Sequence, residues 1–304
     1  MKPMEINIGE DKDNHKIKNN RHYYKVCFCC SMETCYTIDE LPNGWSNKPL
    51  TVDGYRVNRG WWGSFASILD PNHNEFWMIW SDLLPFIIYL VLLTVFLTNN
   101  ASSNTERLQY NDNKILEVQV FIGIILCRGL SLFFHIFNCV NLWTSQRLIF
   151  VDLIGVACMC FVSPYFYYLG GTENFNIYCY ILFTMMTVSI IIFSYIMYVG
   201  ESPMASKMRQ PLLCAIAAAG NWPALRIVIN PSLENKLRLY TGLSLGCLLG
   251  GYVLCYINFL PEVFMTRGAA DGKFWNSHVI WHILLFVSQI LYLSVILIPD
   301  VCYK

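Results

Sequence analysis

Seven apolar stretches, each close to the roughly 20 residues that a helix needs to cross a bilayer, set the limits on what this chain can fold into. They fall at about 79–97, 118–139, 148–169, 177–199, 211–229, 239–260 and 278–298. Runs of this length predict an all-α membrane protein, a seven-transmembrane helix bundle. The fifth run carries Asn221, Pro223 and Arg226, and Pro223 is expected to kink it. Only 14% of the 304 residues are charged, against about 25% in a soluble domain. Net charge is zero, which leaves no bulk electrostatic case for nucleic acid. The 13 cysteines are scattered, many inside apolar runs where Cys packs as a small hydrophobe, and form no disulfide framework. The polar opening residues carry no cleavable signal pattern.

Three regions follow. Residues 1–40 are charged and Asn-rich and read as a disordered tail. Residues 41–76 form a pre-membrane segment, and 77–304 the transmembrane domain. In "RGWWGSFASILDP", Trp61, Trp62, Phe65, Ile68 and Leu69 recur at helical spacing. This predicts an amphipathic helix in the membrane interface. The alternative is a core helix of a small soluble domain, but little nearby sequence can cover it. "CFCCSMETC" lacks the paired spacing of a zinc ribbon. Its thiols are reduced, or else carry palmitoyl groups. Asn100 begins a glycosylation sequon, but it abuts the first span.

The polar residues inside the spans share one layer. Arg128, Ser131 and His135 lie at spacings of three and four, hence on one face of the second span. Asp82 and Asp152 stand near the starts of the first and third spans, and His278 and His282 begin the seventh. Alternating helix direction brings the end of span two to the side where spans one, three and seven begin. Ionisable groups inside a bundle usually face inward and mark function. Three imidazoles leave tetrahedral Zn2+ one open position for water, the catalytic pattern, and zinc lowers the pKa of that water from 15.7 to about 7. A carboxylate such as Asp152 can orient or deprotonate the water, and Ser131 can hydrogen-bond a substrate oxygen. The histidine spacing alone also fits polar residues at the wet end of a helix.

These motifs together resemble the progestin and adipoQ receptor family, related to hemolysin III and more distantly to alkaline ceramidases. "LPNGWSNKPLTVDGYR" resembles the family's pre-membrane segment, and "HNEFWMIWSD" the beginning of its first helix. "CRGLSLFFHIF" supplies Ser-x-x-x-His, "VDLIG" the Asp-x-x-Gly, and "GKFWNSHVIWH" the final His pair; "FLPE" also fits. The resemblance runs from about Leu41 to His282. It implies seven helices with a cytosolic N-terminus and zinc held by His135, His278 and His282. It also implies Ser131 and Asp152 near the metal-bound water. Two departures stand out. Asp82 replaces a usual His, and Arg128 occupies a place where a small or apolar residue is expected. Arg128 is expected to pair with Asp82 or Asp152, or to contact a lipid headgroup.

The resulting expectation is a multi-pass protein of the plasma membrane or an endomembrane, acting as a zinc-dependent, ceramidase-like lipid amide hydrolase with a metal-bound water nucleophile. A seven-helix receptor for a hormone or lipid, with structural zinc, is the alternative; a hemolysin-like pore is a third. The ligand or substrate is a membrane lipid or hormone, and oligomeric state is not legible. With the N-terminus in the cytosol, about 14 Lys and Arg lie on that side against about 5 on the other. An N-terminal tag is therefore expected to be protected in intact cells and a C-terminal tag exposed. The reverse labelling would overturn the orientation.

Overall fold

The computed structural model describes residues 35–42, 45, 54–102, 111–169, 174–199, 203–257 and 276–297. Most of the tail read as disordered, with three of the four clustered cysteines, lies outside the described residues, as does "FLPE". Among the described residues the regular structure is helical: α1 (Gly60–Ala66), α2 (Phe76–Ser102), α3 (Asn111–Phe137), α4 (Leu142–Cys158), α5 (Ser163–Leu169), α6 (Phe175–Val199), α7 (Pro203–Ile229), α8 (Asn235–Gly251) and α9 (Ser277–Leu297). A 3₁₀ turn, Met159–Val162, joins α4 to α5 in one span, and a π-helical turn, Tyr252–Ile257, extends α8. Seven of the resulting segments are long and apolar enough to cross a membrane. This is the all-α, seven-span architecture expected from the sequence.

Local chemistry explains several boundaries. Asn141 caps α4 by accepting the Thr144 N–H at 2.8 Å, an N-cap interaction worth about 1 kcal/mol. Asp70 closes the segment after α1, its carboxylate accepting the Asn72 N–H at 3.0 Å. Pro223 lies inside α7 and has no N–H for the carbonyl of Ala219, four residues earlier. Tyr178 of α6 donates its hydroxyl to that carbonyl at 3.0 Å, the kind of substitution by which proline is tolerated in a membrane helix.

Helix α3 packs against both α2 and α4, and α9 packs against α8 and α2. Small residues allow the close approach of α3 and α4. A Cβ on Gly155 would lie 3.1 Å from the Cys127 carbonyl oxygen and 3.2 Å from Leu130 Cβ. Gly155 is the last residue of the Asp-x-x-Gly motif, so the same turn that carries Asp152 is pressed onto α3. The main core joins Tyr89, Phe121, Phe166, Ile227, Leu245 and Leu293 from six helices.

The segment 60–69 differs in part from expectation. It is helical and its outer face is aromatic: Trp62 is 84% exposed and Leu69 76%, with Trp61 and Phe65 also exposed. Its inner face is polar, with Ser64 and Ser67 buried. Ile68 does not join the exposed face. The helix tightens to a 3₁₀ turn at Ser67–Leu69, and Ile68 turns in to pack on Ile79, Leu132 and Ile136.

Overfilling the α3–α4 contact tests this packing. Gly155→Leu is expected to destabilise the protein by about 1–3 kcal/mol, read as a fall of several degrees in the melting temperature of detergent-solubilised chain. An unchanged melting temperature would show that α3 and α4 do not meet closely there.

Candidate metal centre

The end of α3 is built to be buried. Its final carbonyls lack helical partners, and the pre-membrane segment supplies them. Arg56, itself buried, donates through Nη2 to the His135 carbonyl at 2.6 Å and to Asn138 Oδ1 at 3.1 Å. Its Nη1 donates to Ser67 Oγ at 2.5 Å. The Arg59 and Gly60 N–H groups donate to the Cys139 and Val140 carbonyls at 2.9 and 3.1 Å. Gly54 makes this path possible: its φ is +82°, and a Cβ there would lie 2.8 Å from the Asn74 nitrogen. Next to it, buried His73 accepts the Glu75 N–H at Nδ1 and donates from Nε2 to the Ser67 carbonyl at 2.8 Å. Burial, with the Arg56 charge adding to it, pushes the pKa of His73 down to about 3. This histidine is a neutral strut.

His135, His278 and His282 converge. One ligand atom from each lies within 4.8 Å of the others, and the ring centroids are 4.8–5.5 Å apart. His135 and His282 are buried and His278 half-buried. Helix α3 supplies the first; α9 supplies the other two from successive turns of one face. The three histidines singled out in the sequence are therefore brought together.

Their hydrogen bonds bear on whether a metal fits. His135 Nδ1 lies 2.7 Å from Glu75 Oε2, so the ring donates there and Nε2 carries the lone pair. That Nε2 is buried with no hydrogen-bond partner. His282 Nδ1 lies 3.1 Å from Ser81 Oγ and 3.2 Å from Asp82 Oδ1. Ser81 spends its own proton on the Met78 carbonyl, so its oxygen accepts from His282 Nδ1, with Asp82 beside it, and Nε2 is left to bind a metal. Carboxylates behind ligating imidazoles are the usual outer shell of such centres. The residues present fit a divalent metal that takes nitrogen ligands.

The other predicted residues fall around this point. Asp152 is half-buried and lies near Ser131, His135, His282 and Asp82. Ser131, expected to meet a substrate oxygen, is buried beside Asp152. Arg128 pairs with Asp82, Nη1 to Oδ1 at 2.7 Å; of the partners weighed from the sequence, this is the one found. Glu75, Gln289 and Arg56 were missed as site residues. One signal was available: Glu75 and Asp82, Arg128 and His135, and His282 and Gln289 are each seven residues apart, two helical turns on one face.

The fold and this site define a seven-span helical membrane protein with a candidate three-histidine metal centre at one end of the bundle. The haemolysin-III related family model matches residues 71–293, and the chain belongs to that family, as its resemblance to the progestin and adipoQ receptors and hemolysin III implied. It is also similar to an uncharacterized protein of Schizosaccharomyces pombe, 25% identical over 261 residues, which cover 83% of this chain and 57% of the relative. The chain thus spans little more than half the length of that relative.

Proposed function

We propose that this chain is a zinc-dependent hydrolase of lipid amides of the ceramide type, working inside the membrane at its cytosolic side. The observation that carries this reading is the cluster of His135, His278 and His282 with Asp152 and Ser131 close by. Three protein ligands are the number at which catalytic zinc sites keep a position for water or substrate. Zinc bound there would supply a Lewis acid for the amide carbonyl and a water acidified to a pKa of about 7. The remaining chemistry falls to the chain. Asp152 takes the proton of the attacking water at a carboxylate oxygen and returns it to the departing amine nitrogen. Water adds to the carbonyl, the C–N bond breaks, and a fatty acid and an amine leave. Ser131, one turn before His135 on α3 and close to Asp152, steers that carboxylate. The exposed aromatic face of α1 would anchor the cytosolic end of the bundle in the interface.

A second reading has support in one feature. The ligands come from two helices, so an ion there also ties α3 to α9, as a receptor with structural zinc would require. Asp152→Asn separates the two. It keeps size and removes the base. At matched zinc content and matched thermal stability, it is expected to lower long-chain ceramide turnover by roughly 10²–10⁴-fold. Equal rates would exclude Asp152 as the base; no turnover by wild type across a broad lipid panel would favour the receptor.

A further inference from the structure

Two of the most deeply buried groups in the bundle are a cation and an anion that the proposed chemistry does not use. Arg128 is 1% exposed and Asp82 fully buried. Inside a membrane protein such groups are costly and are retained for a use. A buried ion pair is in itself weak support for stability. What these two touch is therefore informative.

Arg128 sends each of its three guanidinium nitrogens to a different partner. Nη1 donates to Asp82 Oδ1 at 2.7 Å, Nη2 to the His282 carbonyl at 3.1 Å, and Nε to Gln289 Oε1 at 2.8 Å. Gln289 is itself held, its oxygen accepting the Tyr89 hydroxyl at 3.1 Å and its amide directed at Met159 Sδ. Asp82 Oδ1 in turn faces His282 Nδ1 at 3.2 Å. His282 is thus reached twice from one guanidinium: at its backbone directly, and at its ring through Asp82, which shares Nδ1 with the Ser81 hydroxyl. Arg128 also sits on α3, seven residues before His135, and two of its three bonds end on α9. These are the two helices that the histidines bridge.

We propose that Arg128 and Asp82 are the positioning pair of the metal centre. They fix the ring orientation and the Nδ1–H tautomer of His282, and they hold α3 and α9 at ligand spacing before a metal arrives. This rests on the reading that the three histidines hold a metal. A lysine cannot replace Arg128, because one ammonium cannot span three partners in a fork. An asparagine cannot fully replace Asp82, because a neutral oxygen accepts more weakly than a carboxylate.

The test uses the full chain in detergent and two ions, Zn2+ by competition with a chromophoric chelator and Co2+ by its visible spectrum. Arg128→Lys and Asp82→Asn are each expected to weaken binding by about 10–100-fold and to change the cobalt spectrum. Tyr178→Phe, which removes the distant bond to the Ala219 carbonyl, serves as the control for general destabilisation and should leave affinity and spectrum as in wild type. Should Arg128→Lys fail to fold, Asp82→Asn carries the same expectation. Wild-type affinity and spectrum in the folded variants would overturn the assignment. A wild type that binds neither ion would instead overturn the metal reading beneath it.

Discussion

Polar groups buried in an apolar bundle must satisfy one another, and here that requirement organises one end of the molecule. Water is absent from the hydrocarbon, so each carboxylate, guanidinium and imidazole needs a partner within reach. Glu75 takes His135, and Asp82 takes Arg128 and faces His282. With Nδ1 of His135 on Glu75 and Nδ1 of His282 on Ser81 beside Asp82, their other nitrogens face a common point with His278. Among the described residues this system of pairs leaves two buried atoms open, Asp82 Oδ2 and His135 Nε2, and a metal ion is the partner that would complete the second.

The rest of the architecture supports that point in two layers. Helical pairs seven residues apart place Glu75, His135 and the α9 histidines at one level, with Arg128 and Gln289 about 10 Å deeper. The deeper layer ties α2, α3 and α9 through Arg128, while Gly155 lets α4 bring Asp152 against α3. From outside, the pre-membrane segment closes the end of α3. Arg56 bonds the carbonyl of a ligand residue itself, His135, so loop and metal layer are one mechanical unit. The exposed tryptophans and polar buried face of α1 then follow: the segment rests its serines on the bundle and turns its apolar side outward.

Much of this was legible in the sequence because it depends on periodicity. Span length gave the seven helices, and spacings of three and four put Ser131 with His135 and His278 with His282. What was not legible depends on helix rotation and loop path. Arg128 had two carboxylates to choose from, and only the packing of α2 against α3 selects Asp82. Arg56 lies nearly 80 residues before the carbonyls it caps, a distance no local pattern spans. Ile68 leaves the apolar face that helical spacing predicts because a period of 3.6 fails where the turn tightens to 3₁₀. Glu75 and Gln289 were findable by the seven-residue spacing, but a glutamate before a helix and a lone glutamine read equally well as capping or surface residues.

Metal analysis of the full chain, purified without chelators and shown to be folded, bears most directly on the centre. Wild type is predicted to carry about one zinc per chain, and His135→Ala and His282→Ala to lose most of it at unchanged helix content. A folded wild type with no transition metal, and no uptake when zinc is supplied, would contradict the three-histidine centre and the chemistry built on it.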